Sequence, residues 1–110
     1  MKIGVISFTD PRKSLENEDI FEIELKKSHF KVIESLNKNN IETINPHEDL
    51  KGPKDKTYGV RSTKEVFECV KKLKDAEGII LGLWKWTDPY LAIRLVKELQ
   101  IPTLLFTDTD

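Results

Sequence analysis

The sequence predicts a three-layer α/β fold, with a parallel sheet of strand order 2-1-3-4 between helices. Three observations predict it. Four short segments are apolar along almost their whole length, as strands buried on both faces are. The stretches between them carry apolar residues mostly at helical spacing, so the chain alternates βαβαβαβ. Right-handed crossovers then restrict the strand order, and 2-1-3-4 is the commonest for a chain that starts this way.

Lys2 to Phe8 is apolar and rich in β-branched residues, and it stops at Thr9-Asp10-Pro11. A helix is expected over about Asp19 to Asn37, with Leu25, Val32, Ile33 and Leu36 inward, Phe30 nearby, and Asn39-Asn40 as its stop. Ile41 to Asn45 reads as a short second strand closed by Pro46. Residues 46–62 are rich in Gly, Pro and charge, show no periodicity, and read as a surface loop. Ser62 or Thr63 can cap the second helix, whose buried stripe is Val66, Phe67, Val70 and Leu73. Gly78 to Leu83 is the third strand. Asp88 as N-cap with Pro89 at the first helical position starts the third helix, lined by Leu91, Leu95, Val96 and Leu99. Pro102 to Thr107 is the fourth strand. This is a flavodoxin-like or Rossmann-like arrangement, which ordinarily continues into a further helix and a fifth strand, so Asp110 reads as a cut point in a longer polypeptide.

The 110 residues suit one domain, spanning 1–110. Eighteen basic against nineteen acidic residues leave a net charge of −1, which supplies no field to attract nucleic acid or an anionic membrane. No apolar run approaches the roughly 20 residues that span a bilayer, and the N-terminal apolar stretch is too short for a secretory signal. A lone cysteine, Cys69, has no internal disulfide partner, so a cytoplasmic setting is expected.

Open parallel sheets bind ligands at the carboxyl ends of their strands, where the strand order reverses. In order 2-1-3-4 that crevice lies between strands one and three. The segment after the first contains Arg12; the segment after the third contains Trp84 and Trp86. A guanidinium suits carboxylates, phosphates or vicinal hydroxyls, and an indole suits the C–H face of a sugar ring. Structural roles fit the same residues: both indoles packing under a helix or at a subunit contact, and Arg12 pairing with a surface carboxylate. Topology leaves both readings open.

Other candidates are weaker. His29 in a helix and His47 in a loop have no ligand-like spacing to each other or to Cys69, which argues against a metal site. Cys69 lies along the apolar edge of its helix and reads as a small core residue. Lys51, Lys54, Lys56 and Arg61 make the long loop basic, but Glu48, Asp49 and Asp55 interrupt it. There is no GxGxxG after strand one, no GxxxxGK[ST], and no hydroxyl-rich phosphate loop. The paired acidic residues of a receiver domain and the first-loop cysteine of the small phosphatases are also missing.

Two blocks carry a resemblance. The opening, Lys2 through Arg12, is similar to the start of the L-fucose isomerase/L-arabinose isomerase superfamily, and Gly78 through Asp110 resembles that family's third strand, Trp-containing loop, helix and fourth strand. Residues 40–75 resemble it only in the alternation of elements. The resemblance implies an N-terminal domain that helps close a neighbouring subunit's pocket in a homo-oligomer. The metal-binding catalytic domains, with Mn²⁺ held by two carboxylates and a histidine, would lie beyond residue 110. This chain would then hold no cofactor and be inactive alone, while the full-length enzyme would interconvert aldoses and ketoses through an enediol. Arg12 would hydrogen-bond sugar hydroxyls and Trp84 would stack on the sugar, with Trp86 as its alternative.

Two other functions compete: a stand-alone flavodoxin-like module that binds a sugar, a sugar phosphate or a partner protein without catalysis, and a structural domain whose tryptophans serve only assembly.

Overall fold

A computed structural model describes residues 1–8, 18–47, 59–83 and 89–106. Its elements run β1 (Lys2–Ser7), α1 (Glu18–Lys38), β2 (Glu42–Ile44), α2 (Thr63–Lys72), β3 (Gly78–Gly82), α3 (Pro89–Leu99) and β4 (Thr103–Phe106). The four strands form one sheet of order β2-β1-β3-β4, and every pairing is parallel. The expected fold class is therefore the observed one.

Register and pleat divide the side chains between two faces. Paired residues share a face and neighbours along a strand alternate. Gly4 and Ile6 pair with Ile79 and Leu81, and Leu81 pairs with Leu105. This face packs against α2 and α3: Ile6, Phe8, Ile79 and Leu81 share a core with Val66, Cys69, Leu73, Leu91 and Leu95. Val5 and Ser7 point to the other face, where α1 crosses β1 and β2 and buries Leu25, His29 and Ile33. Three layers result.

The ends of the elements follow local chemistry. α1 stops at Lys38, and Asn40 takes the left-handed conformation (φ 62°) that asparagine tolerates better than most residues. Ser62 is the N-cap of α2; its Oγ accepts from the Glu65 backbone N–H at 3.2 Å, while the Glu65 carboxylate accepts from the Arg61 N–H at 2.9 Å. α3 opens on Pro89, whose missing N–H costs nothing there.

Two packing details depart from the sequence reading. Phe67, expected in the buried stripe of α2, is 37% exposed, and the Arg94 guanidinium from α3 lies 5.3 Å from its ring centroid. Cys69 is fully buried, as its place along the apolar edge of the helix predicts. β4, apolar but for Thr103, is exposed along its length, with Leu104 and Leu105 near 60%. It is the sheet's edge, and its side chains reach beyond the cover that the described helices provide.

Candidate functional site

The carboxyl end of the sheet is level across its centre. Ser7 pairs with Gly82 and Gly82 with Phe106. The Phe8 N–H donates to the Gly82 carbonyl at 3.1 Å, and the Leu83 N–H to the Phe106 carbonyl at 2.9 Å. From this line the chain leaves β1 toward the segment containing Arg12, and β3 toward the segment containing Trp84 and Trp86. Because β1 is followed by β2 on one side and β3 by β4 on the other, the two connections diverge, which is the condition for a switch-point crevice. Arg12, Trp84 and Trp86 themselves lie outside the described residues.

Beside this line stands a polar cluster that the sequence reading did not assemble. Ser7, His29, Asn45 and His47 come from three successive parts of the chain: the end of β1, the middle of α1 and the turn after β2. Ser7, His29 and His47 are all buried. The Oγ of Ser7 is 2.7 Å from Nδ1 of His29, and Nε2 of the same ring is 3.0 Å from Oδ1 of Asn45. Oδ1 of Asn45 also accepts the His47 backbone N–H at 3.1 Å. The Ser7 backbone N–H donates to Nε2 of His47 at 3.1 Å, and the two imidazoles meet edge to face with centroids 4.5 Å apart.

These bonds fix the tautomers. An amide oxygen only accepts, so Nε2 of His29 carries a proton, and in the neutral ring Nδ1 receives the Ser7 hydroxyl hydrogen. Nε2 of His47 faces a backbone N–H and must present its lone pair, which leaves the ring proton on Nδ1. His47 is therefore neutral in this arrangement, and burial keeps His29 neutral at neutral pH. Burial pulls the His29 pKa from 6.5 down to about 4, against a smaller upward pull from its bond to Asn45.

The Ser7–His29–Asn45 connectivity is that of a hydrolytic triad, but its surroundings do not suit one. Ser7 has no solvent-exposed surface. The backbone donors beside its hydroxyl are engaged: the Ser7 N–H by His47, the Phe8 N–H by Gly82 and the Val60 N–H by the Ser7 carbonyl at 2.9 Å. An acyl-transfer site needs donors that converge on a developing oxyanion. The cluster instead ties three segments together at the carboxyl edge. Lys72 at the end of α2 adds a fourth tie, donating from Nζ to the Pro46 carbonyl at 3.2 Å.

Metal binding does not fit this cluster either. A ligating imidazole offers a ring lone pair to the ion, whereas here Nδ1 of His29 and Nε2 of His47 both accept protein hydrogens. Among the described residues no three His, Cys, Asp or Glu side chains stand together as a metal site.

Cys69 is buried in the α2 core, and burial pushes its thiol up to about 12, outweighing the nearby Lys72 charge. It is a packing residue. No helix among the described residues is long and apolar enough to cross a membrane.

The sequence matches no protein-family model and no curated protein.

Proposed function

We propose that this chain is a sugar-contacting α/β domain of the L-fucose/L-arabinose isomerase type, which helps close an active site whose metal and proton-transfer groups lie on other domains. In this reading Arg12 hydrogen-bonds the hydroxyls of an aldose or ketose. Trp84, or Trp86 in its place, stacks on the sugar's C–H face and excludes water. The protein works as a homo-oligomer in the cytoplasm, the domain reaching a neighbouring subunit's pocket, and its own 110 residues catalyse nothing alone.

The observation that supports this reading is the pairing of Ser7 with Gly82 at the point where the strand order reverses. The two segments carrying the guanidinium and the indoles begin from adjacent strand ends, one on either side of the crevice. The described part of that edge offers backbone groups already engaged in the sheet, so recognition there falls to the loop side chains.

The test is a titration of the chain with L-fucose, L-arabinose and their ketoses, followed by tryptophan fluorescence and calorimetry. Saturable binding in the millimolar range, about 4 kcal/mol, is expected, lost in both Arg12→Ala and Trp84→Ala with the fold intact by circular dichroism. A response that survives both substitutions sinks the assignment. Tight binding of a sugar phosphate would favour a stand-alone binding module instead.

A further inference from the structure

We propose that the outer edge of β4 is a self-association surface, on which a second copy of this chain lays its own β4 antiparallel about a two-fold axis at Leu104, joining two sheets into one. The inference stands independently of the sugar reading.

The backbone sets the geometry. The Ile79 N–H donates to the Pro102 carbonyl and the Leu83 N–H to the Phe106 carbonyl, both at 2.9 Å, so residues 102, 104 and 106 turn their backbone groups toward β3. Alternation along the strand turns the N–H and C=O of Thr103 and Leu105 outward. β4 is the last strand of the sheet, and among the described residues no strand pairs with those four groups. The next outward carbonyl, that of Ile101, already accepts the Thr103 hydroxyl at 3.0 Å. Pro102 is one of the residues turned inward, so its missing N–H takes nothing from the outer side.

This edge is self-complementary, which selects a second copy as its occupant. With Leu104 opposite Leu104 of the other copy, Thr103 of each chain faces Leu105 of the other, and their outward groups exchange hydrogen bonds in both directions. The two Leu104 residues then form the pair whose side chains approach most closely. The strand has none of the devices that keep edges apart, since Thr103–Phe106 carries no charge and no proline. Leu104 and Leu105, 59% and 60% exposed, lie on opposite faces of the sheet, so both faces gain contact when the edges meet. The other edge is different: β2 has only three residues and opens on the exposed carboxylate of Glu42. A net charge of −1 sets little repulsion between copies. Each exposed apolar side chain offers on the order of 100 Å². The covered area therefore stays below the roughly 1,000 Å² of a permanent complex, and the dimer is weak and concentration-dependent.

The experiment is sedimentation velocity on the full 110-residue chain from about 10 μM to about 2 mM, with amide hydrogen exchange by NMR at both ends of that range. The weight-average mass is expected to rise from 12.7 kDa toward twice that value. Protection of the Thr103 and Leu105 amides rises with it by about threefold or more, while that of Leu104, whose N–H already faces β3, does not change. Leu104→Lys sets two like charges face to face across the two-fold axis and keeps the chain monomeric, with the fold checked by circular dichroism. A chain that is monomeric at the highest concentration overturns the proposal and leaves the edge to a different polypeptide. So does a dimer that survives Leu104→Lys, because its contact lies elsewhere. Mass that grows beyond two copies overturns it too, since a two-fold contact closes. Should the variant not fold, the unmodified protein decides: a dimer without added protection at Leu105 refutes the edge pairing.

Discussion

The hydroxyl oxygen of Ser7 lies 2.7 Å from Nδ1 of His29, joining the last residue of β1 to the buried face of α1. Around it the α1 interface carries aliphatic side chains, Val5, Leu25 and Ile33, so the bond sits in a partly apolar setting. Its consequences can be measured.

The first concerns pH. His29 has a folded pKa of about 4 against 6.5 in the unfolded chain, so between these values the unfolded state binds more protons. Stability from this group is fully present above 6.5 and is lost as pH falls toward 4. At about 1.4 kcal/mol for each pH unit, the loss reaches the order of 3 kcal/mol. Urea unfolding across that range should show the decline, and His29→Gln should flatten it. A decline that persists in the variant would place the proton uptake elsewhere.

The second concerns the hydroxyl itself. Ser7→Ala removes the donor to Nδ1 of His29 while keeping the strand and its backbone bonds. A buried acceptor deprived of its partner costs about 1–3 kcal/mol. Chemical denaturation should show a lower midpoint with an unchanged slope. A change below a few tenths of a kcal/mol would mean that the bond contributes little.

The third concerns Cys69. With its thiol pushed up to about 12 and no exposed surface, it is protonated and shielded at neutral pH. Reaction with an aromatic disulfide reagent should be slow in the native protein and become fast in denaturant, the native rate following the opening of α2 from the sheet. Cys69→Ser places a hydroxyl in an apolar site and should cost about 1–3 kcal/mol. Rapid labelling of the native protein would contradict the packing role.

Much of the architecture was legible because periodicity and end signals report on local chemistry. Ser62, the Asn39-Asn40 stop and the Pro89 start each satisfy or excuse backbone groups within one turn, so neighbouring residues suffice to find them. Burial was less legible, because it depends on partners from elsewhere. Cys69 was read as core and is, whereas Phe67 lies at the margin of the α2 stripe, where the Arg94 guanidinium of α3 stands over its ring. β4 reads as buried from composition, yet its exposure follows from its place at the sheet edge. The histidine cluster was missed because sequence spacing between His29 and His47 says nothing about a ring pair brought together by strand order. A signal was present nonetheless. Leu25, His29 and Ile33 recur every fourth residue, which puts His29 on the apolar stripe, and Ser7 is a polar residue ending an otherwise apolar strand run. Strand order 2-1 then sets the turn after β2 beside the end of β1. The crevice was readable as topology, while Arg12, Trp84 and Trp86 lie outside the described residues.

The fourth prediction tests how closely α2 sits on β1. Gly4 lies on the face that α2 covers, and a Cβ built there would stand 2.5 Å from Cδ2 of Leu73 and 3.2 Å from Cγ2 of Ile79. Both neighbours are buried, at 0% and 2% exposure, so neither has open space to move into. Gly4→Ala should therefore destabilise the fold by about 1–3 kcal/mol through overpacking, despite alanine's smaller entropy loss in a strand. A double-mutant cycle separates the clash from any backbone effect. In a Leu73→Ala background the added methyl enters vacated space, and Gly4→Ala should become neutral or stabilising, a coupling of about 1–3 kcal/mol. If the alanine costs the same in both backgrounds, the close approach of α2 to β1 at Gly4 is not what limits that position.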